Sequence, residues 1–177
     1  ISLNSVSIDK TVMVYGDNAF KGCKAITEIT ISESVTTLGN SCFEDCTLLK
    51  NIIIPKQVKS IGNNTFKGCT SIQFLKFDKT ACTIGTSAFE GCKNIETINF
   101  GNVISLGDKA FKGCEKITSM IVPRSVTSFG NNVFESCTSL GGVLLDKFEA
   151  NIGNEAFKGG NQMTTIILNN KMKSIGN

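Results

Sequence analysis

Phenylalanine recurs at Phe20, Phe43, Phe66, Phe89, Phe111, Phe134 and Phe157, in steps of 23, 23, 23, 22, 23 and 23 residues. A cysteine stands three residues after each of the first six, at Cys23, Cys46, Cys69, Cys92, Cys114 and Cys137, and Gly160 takes that place in the seventh. A glycine stands four residues before each phenylalanine, at Gly16, Gly39, Gly62, Gly85, Gly107, Gly130 and Gly153, and Gly176 opens one further unit. Self-similarity at this period restricts the chain to a solenoid, because a unit so short cannot bury its apolar edge and must be covered by its neighbours. No segment is left over for a second domain, so residues 1–177 are expected to form a single continuous solenoid of about seven repeats plus partial ends. The chain opens and closes inside a repeat without polar caps, and a piece of a longer protein is expected.

Within each unit, apolar residues fall nine and eleven places after the phenylalanine and alternate with other residues, the period of a half-buried strand. This predicts one short parallel strand per repeat, centred on Ile29, Ile52, Leu75, Ile98, Met120, Val143 and Ile166, with an N-terminal strand at Val6 to Ile8. A second apolar pair follows, for example Val35 with Leu38, Val58 with Ile61 and Val126 with Phe129, and predicts a second short extended segment on the other side of the coil. The glycine turns the chain. Next comes Asp17, Asn40, Asn63, Thr86, Asp108, Asn131 or Asn154, residue types that favour helix N-caps. Gly22, Gly68, Gly91, Gly113 and Gly159 fit helix C-termini, so one short α- or 3₁₀-helical turn per repeat is expected around the phenylalanine. The Asp/Asn column also resembles a calcium ladder, but capping accounts for it more simply.

Two irregularities stand out. The repeat from Phe89 to Phe111 has lost one residue between Phe100 and Val103. In the segment from Asp146 to Ile152, Phe148 comes one place early and Glu149 takes an apolar slot, so a local kink or bulge is expected.

The chemistry of the chain is bounded by what it lacks. There is no histidine, no Cys-x-x-Cys pair, no Gly-x-Ser-x-Gly and no phosphate or dinucleotide loop, so no catalytic, metal or cofactor site is expected. A net charge of +3, spread evenly, does not point to nucleic acid or a membrane surface. No apolar run is long enough to span a bilayer, and no basic, apolar leader opens the chain. Six of the eight cysteines share one column and are expected to be buried thiols that pack as small hydrophobes. Cys42 and Cys82 lie off that column and are expected to be the more reactive pair. Asn63-Asn64-Thr65 matches a glycosylation sequon, a pattern common by chance.

The stretches Ile84-Gly85-Thr86-Ser87-Ala88-Phe89-Glu90-Gly91-Cys92 and Ile54-Pro55-Lys56-Gln57-Val58-Lys59-Ser60-Ile61-Gly62 resemble the repeat of the BspA-type leucine-rich repeat family, and the resemblance extends over essentially the whole chain. It implies a right-handed leucine-rich-repeat solenoid with a parallel sheet on the concave side. It also implies a non-enzymatic protein-binding module of a surface or secreted adhesin-like protein. The partner implied is another protein, such as a host matrix protein, or a glycan. A structural scaffold or coat that self-associates through its repeats is the alternative. Proline ends the strand only at Pro55 and Pro123, which is expected to loosen the other turns.

Strand positions eight and ten residues after each phenylalanine face away from the core by the same period of two. Among them Ile53, Phe74, Lys76, Asn99, Ile121, Leu144 and Ile167 are the candidate partner-binding residues. A contiguous exposed apolar patch marks an interface, whereas scattered apolar groups reflect only the strand preference of β-branched side chains.

Overall fold

The computed structural model describes residues 6, 8–79, 81–145, 151–168 and 174–176. Each repeat forms one coil of a solenoid, and all strand pairing is parallel. Six two-residue strands form one continuous sheet: β1 (Val14–Tyr15), β2 (Thr37–Leu38), β4 (Ser60–Ile61), β6 (Thr83–Ile84), β8 (Ser105–Leu106) and β10 (Ser128–Phe129), joined in that order. Bridges from Phe129 to Ile152 and from Ile152 to Ile175 carry the same column onward. These are the second extended segments expected from the sequence.

The longer strands lie on the opposite side of the coil: β3 (Asn51–Ile54), β5 (Phe74–Phe77), β7 (Thr97–Asn99), β9 (Ser119–Val122), β11 (Gly142–Leu145) and β12 (Thr165–Ile167). They form two sheets, β3-β5-β7 and β9-β11-β12, divided between β7 and β9. Strands therefore stand at the expected centres from Ile52 to Ile166. At Ile29 the chain forms no strand and the side chain is only half-buried. The Lys50 N–H still reaches Thr27 O at 3.1 Å, so the rung spacing holds without regular pairing. Val6 and Ile8 also lie outside any strand, and residue 7 lies outside the described residues. Ile166 and Leu168, expected to point inward, are 39% and 42% exposed because β12 ends its sheet and no described rung lies over it. Of the segment from Asp146 to Ile152 in which a kink is expected, residues 146–150 lie outside the described residues.

The third side of the coil corrects an expectation: among the described residues it holds no helix. Around Phe66, two N–H groups close local turns, Lys67 to Asn64 O at 3.0 Å and Cys69 to Phe66 O at 3.1 Å. Three other N–H groups of the same segment point along the solenoid axis, Asn64 to Thr86 O at 2.9 Å, Phe66 to Ala88 O at 2.7 Å and Gly68 to Glu90 O at 2.9 Å. A helix would keep every amide bond within its own segment. Two left-handed residues per turn, here Asn64 at φ 55° and Gly68 at φ 73°, rotate alternate peptides toward the neighbouring rung. Asn and Gly tolerate this region best, and the same residue types favour helix caps, which is why the two structures share a sequence signature.

The Asp/Asn column does not cap. Its side-chain oxygens accept from the backbone one rung on: Asn40 N–H to Asp17 Oδ1 at 2.6 Å, Asn63 N–H to Asn40 Oδ1 at 2.8 Å and Thr86 N–H to Asn63 Oδ1 at 2.8 Å. The bonds from Asn131 to Asp108 and from Asn154 to Asn131 repeat the pattern. The glycine column lies beside this ladder, where backbones nearly touch. A Cβ on Gly62 would stand 2.7 Å from Gly39 C and Asn40 N, so only glycine fits. Asn63 of the sequon thus belongs to the ladder, and the Thr65 hydroxyl donates to the core-side carbonyls of Gly39 and Gly62.

The core is a set of columns. Phenylalanine rings stack face to face, with centroids 5.2 Å apart from Phe43 to Phe66 and 5.1 Å apart from Phe66 to Phe89. In the repeat column, the thiols of Cys46, Cys69, Cys92, Cys114 and Cys137 each donate to the phenylalanine carbonyl of the preceding rung, at 3.0 to 3.4 Å. All eight cysteines are free, and all but Cys23 are buried.

Cys42 and Cys82 are not placed as the more reactive pair expected, for both are fully buried. Cys42 precedes Phe43 as Ala88, Ala110 and Ala156 precede theirs, in a column of small core residues. Cys82 fills the column of Val58, Val103 and Val126, displaced by one residue in sequence. Burial pushes each of these two thiols up to about 12, which removes the thiolate on which reactivity depends.

Candidate functional site: the outward face of the longer strands

Parallel registry carries the outward residues of the long strands into rows. Ile53 stands beside Lys76 and Lys76 beside Asn99 in the first sheet. Ile121 stands beside Leu144 and Leu144 beside Ile167 in the second. Six of the seven candidate residues therefore fall into two rows that would be one if the sheet were continuous. Phe74 occupies the adjacent row, between Asn51 and Thr97. Exposure is 50% at Ile53, 39% at Phe74, 59% at Ile121 and 55% at Ile167, while Leu144 and Lys76 are half-buried. The row in the second sheet is wholly apolar. The row in the first ends in a polar pair, with Lys76 held to Asp78 at 2.6 Å.

The gap between the rows follows from the short repeat. In three repeats the turn to the next side begins on the residue after the inward strand position, with Val35 N–H bonded to Ser32 O, Val58 N–H to Pro55 O and Val126 N–H to Pro123 O. With one residue fewer, the turn must start on the strand residue itself, and Val103 N–H bonds Phe100 O at 3.0 Å. Phe100 is thereby withdrawn from the strand. β7 stops at Asn99, one residue before the ends of β3, β5, β9 and β11, and pairs only with β5. Gly101 at φ 53° completes the tight turn, and a Cβ there would collide with Phe77 O.

A groove of about 700 Å³ opens across the break, lined by Asn99, Phe100, Gly101, Ile121, Leu144 and Ile167 among others. Its floor includes Ile98, which is only half-buried where its column neighbours Leu75 and Met120 are covered. Four of the candidate residues, Asn99, Ile121, Leu144 and Ile167, thus border one cavity; Lys76 lies beyond it, and Ile53 and Phe74 are not part of its lining. The outward face was legible from strand alternation. The groove was not singled out, although its cause, the missing residue between Phe100 and Val103, stands in the sequence.

Among the described residues, no group of three or more His, Cys, Asp or Glu side chains is placed to hold a metal ion. No described helix is long and apolar enough to cross a membrane. What the groove offers is mainly apolar contact area, with amide and hydroxyl groups and the Glu96 carboxylate in its lining.

A second column was missed in the sequence. The residue after each phenylalanine alternates in charge: Lys21, Glu44, Lys67, Glu90, Lys112, Glu135 and Lys158. Ion pairs join Lys21 to Glu44 at 2.9 Å, Lys67 to Glu90 at 3.2 Å and Lys112 to Glu135 at 2.9 Å. This ladder lies on the turn side of the coil and serves rung registry rather than the groove.

The model of the BspA type leucine rich repeat region matches the sequence in six copies, over residues 1–104 and 82–177. No curated protein matches it. Among solved structures, a leucine-rich repeat protein of T. pallidum superposes with a TM-score of 0.62 at 22% identity, over 93% of this chain and 67% of that one. A leucine rich cell surface protein of Faecalibacterium prausnitzii gives 0.65 at 22% identity, over 89% of this chain and 52% of that one. A leucine-rich repeat protein of Bacteroides ovatus gives 0.51 at 27% identity, over 93% of this chain and 55% of that one. This chain spans about half the length of the last two. By the repeat it carries from end to end, the chain belongs to the BspA-type leucine-rich repeat family.

Proposed function

We propose that this chain is a non-enzymatic protein-binding module and that its partner seats in the groove between the two sheets of longer strands. The observation that carries this is the row Ile121, Leu144 and Ile167, apolar and outward-facing along one wall of a cavity of about 700 Å³. Exposed apolar side chains that line a concavity favour a partner by the area they remove from water, unlike scattered ones. We further infer that the parent protein displays the module at a cell surface or secretes it, as an adhesin-like protein. A fold neighbour described as a cell surface protein supports that placement.

Two measurements test the proposal. Antibody to this segment is applied to intact and permeabilised cells of the source organism; label on intact cells is expected, and label only after permeabilisation overturns the surface placement. The purified segment is then titrated against immobilised matrix proteins and glycans. Saturable binding to a protein is expected, with Ile121→Ser plus Ile167→Ser weakening it about tenfold, the loss typical of an interface anchor. Both side chains are exposed, so the fold is expected to persist with an unchanged melting temperature. Unchanged affinity removes the groove as the binding site.

A further inference from the structure

The corners that follow the paired strands β5 and β7 differ in length, and the mismatch opens a second cavity. Ile31 to Val35, Ile54 to Val58 and Val122 to Val126 each take four steps from strand to valine column. Phe77 to Cys82 takes five, and on the next rung Phe100 to Val103 takes three. On the long corner Lys79 is exposed and adopts a positive φ of 26°. The short corner turns inward at Gly101. A long corner stacked on a short one leaves a notch of about 810 Å³, lined by Glu33, Lys56, Gln57, Lys76, Lys79 and Asn102 among others. Asn99 and Gly101 line both this notch and the apolar groove, so the two cavities meet there.

Their chemistry differs. The groove is mainly apolar and carries no basic side chain, with Glu96 in its lining, whereas the notch lining holds three ammonium groups and amides. Lys76 is already paired with Asp78. Lys56 and Lys79 are exposed and have no ion-pair partner among the described residues. Glu33 is the one other carboxylate on the wall, so the unpaired charge of the notch is positive.

We propose that the notch receives a carboxylate of the same peptide segment whose apolar side chains lie on Ile121 and Ile167. This rests on the groove as the partner site. The occupant is an extended peptide stretch with an apolar run next to an Asp, a Glu or a free C-terminus. Lys56 and Lys79 supply the opposing charge, and the amides of Gln57, Asn99 and Asn102 donate to its oxygens. Such charge pairing fixes the direction and register of a peptide that apolar contact alone leaves free to slide.

The test is selection of a random dodecapeptide display library on the intact segment, followed by titration of the enriched peptides as synthetic compounds. Enrichment of an apolar run flanked by Asp, Glu or a C-terminus is expected. Lys56→Glu with Lys79→Glu then weakens binding about tenfold, and half-molar sodium chloride does likewise. Replacing the peptide's carboxylate by its amide weakens binding to the wild type but not to the lysine variant, which assigns the loss to this contact. C-terminally amidated peptides separate a side-chain carboxylate from a terminal one. Enriched peptides that lack an acidic preference and ignore the lysine variant overturn the carboxylate notch while leaving the groove intact. Peptides that bind Ile121→Ser plus Ile167→Ser as well as wild type overturn both. Binding of heparin in competition with every peptide, independent of their apolar residues, also overturns the proposal.

Discussion

The Cys69 thiol donates to the carbonyl oxygen of Phe43, one rung away, at 3.0 Å. That oxygen already accepts the Cys46 N–H of its own turn, at 3.1 Å, so both of its acceptor positions are filled. A thiol small enough for the core and able to donate is what this place demands. Threading this bond from rung to rung ties the cysteine column to the backbone as well as to the apolar core.

An alkaline limit to stability follows. Burial pushes the Cys46 thiol up to about 11 and the Cys82 and Cys137 thiols up to about 12, from an ordinary value of 9.0. Between those values the unfolded chain has lost protons that the folded chain retains. The stabilising contribution is therefore complete below about pH 9 and declines by about 1.4 kcal/mol per pH unit for each such thiol until the folded value is reached. Urea unfolding in reductant at pH 7, 9 and 10 is expected to show a sharp loss above pH 9. A Cys46→Ala, Cys137→Ala variant is expected to lose stability more gently over the same interval. Equal slopes in both proteins contradict the argument. In native protein at pH 8, a thiol-specific reagent is expected to modify Cys23 alone at a measurable rate.

The ladder through Asn63 gives a second, independent test. Asn63 Oδ1 accepts the Thr86 N–H at 2.8 Å, and Asn63 N–H donates to Asn40 Oδ1 at 2.8 Å. Asn63→Ala removes the acceptor for Thr86 and is expected to cost about 1 kcal/mol in urea unfolding. Asn63→Asp is expected to be nearly neutral, since Asp17 and Asp108 occupy the same place. Calcium is expected to shift neither unfolding curve, because these oxygens face backbone donors. A calcium-dependent rise in melting temperature restores the metal interpretation.

How much was legible in the sequence divides along physical lines. Period and alternation fixed both extended sides of the coil, because a residue such as Ile52 or Leu75 must face the core wherever its rung stacks. The turn side was misread because Asn64 and Gly68 have the residue types of a helix start and stop, and only the neighbouring rung reveals where their amide bonds go. Cys82 looked displaced because a count from Phe66 ignores an extra corner residue that the chain simply extrudes. The outward row from Ile121 to Ile167 was visible from alternation, but the groove beside it depends on two adjacent rungs of unequal length.

The alternating column after the phenylalanines is open to charge reversal. Burial pushes the Glu90 carboxyl up, but the Ser87 hydroxyl, Lys67 and Lys112 outweigh it and hold the group below its usual value. Its contribution is present above the ordinary carboxylate range and is lost as the pH falls through the lowered value. Glu90→Lys sets three like charges in line with Lys67 and Lys112, and a cost of about 0.5–1 kcal/mol is expected at low salt, shrinking in half-molar sodium chloride. A double variant, Lys67→Glu with Glu90→Lys, is expected to recover little of the loss, because the pair it restores is offset by a new repulsion with Glu44 while the repulsion with Lys112 remains. A cost independent of salt assigns the effect to packing instead.

The short repeat is the sharpest test of how the groove arises. A proline inserted after Phe100 makes this corner equal in length to Ile54-Pro55-Lys56-Gln57-Val58. Lengthening a loop by one residue adds little closure entropy, so nothing in the chain opposes it. Phe100 is then free to rejoin the strand, as Phe77 and Val122 do at the same position. β7 is expected to gain its fourth residue and to pair with β9, bringing Asn99 beside Ile121 and closing the row from Ile53 to Ile167. Hydrogen exchange of the backbone amides from Ile98 to Phe100 and in β9 is expected to slow markedly, and affinity for a groove-bound partner to fall in parallel. If protection is unchanged after the insertion, the missing residue does not cause the break. If protection rises while binding stays the same, the exposed apolar row alone, and not the opening beside it, holds the partner.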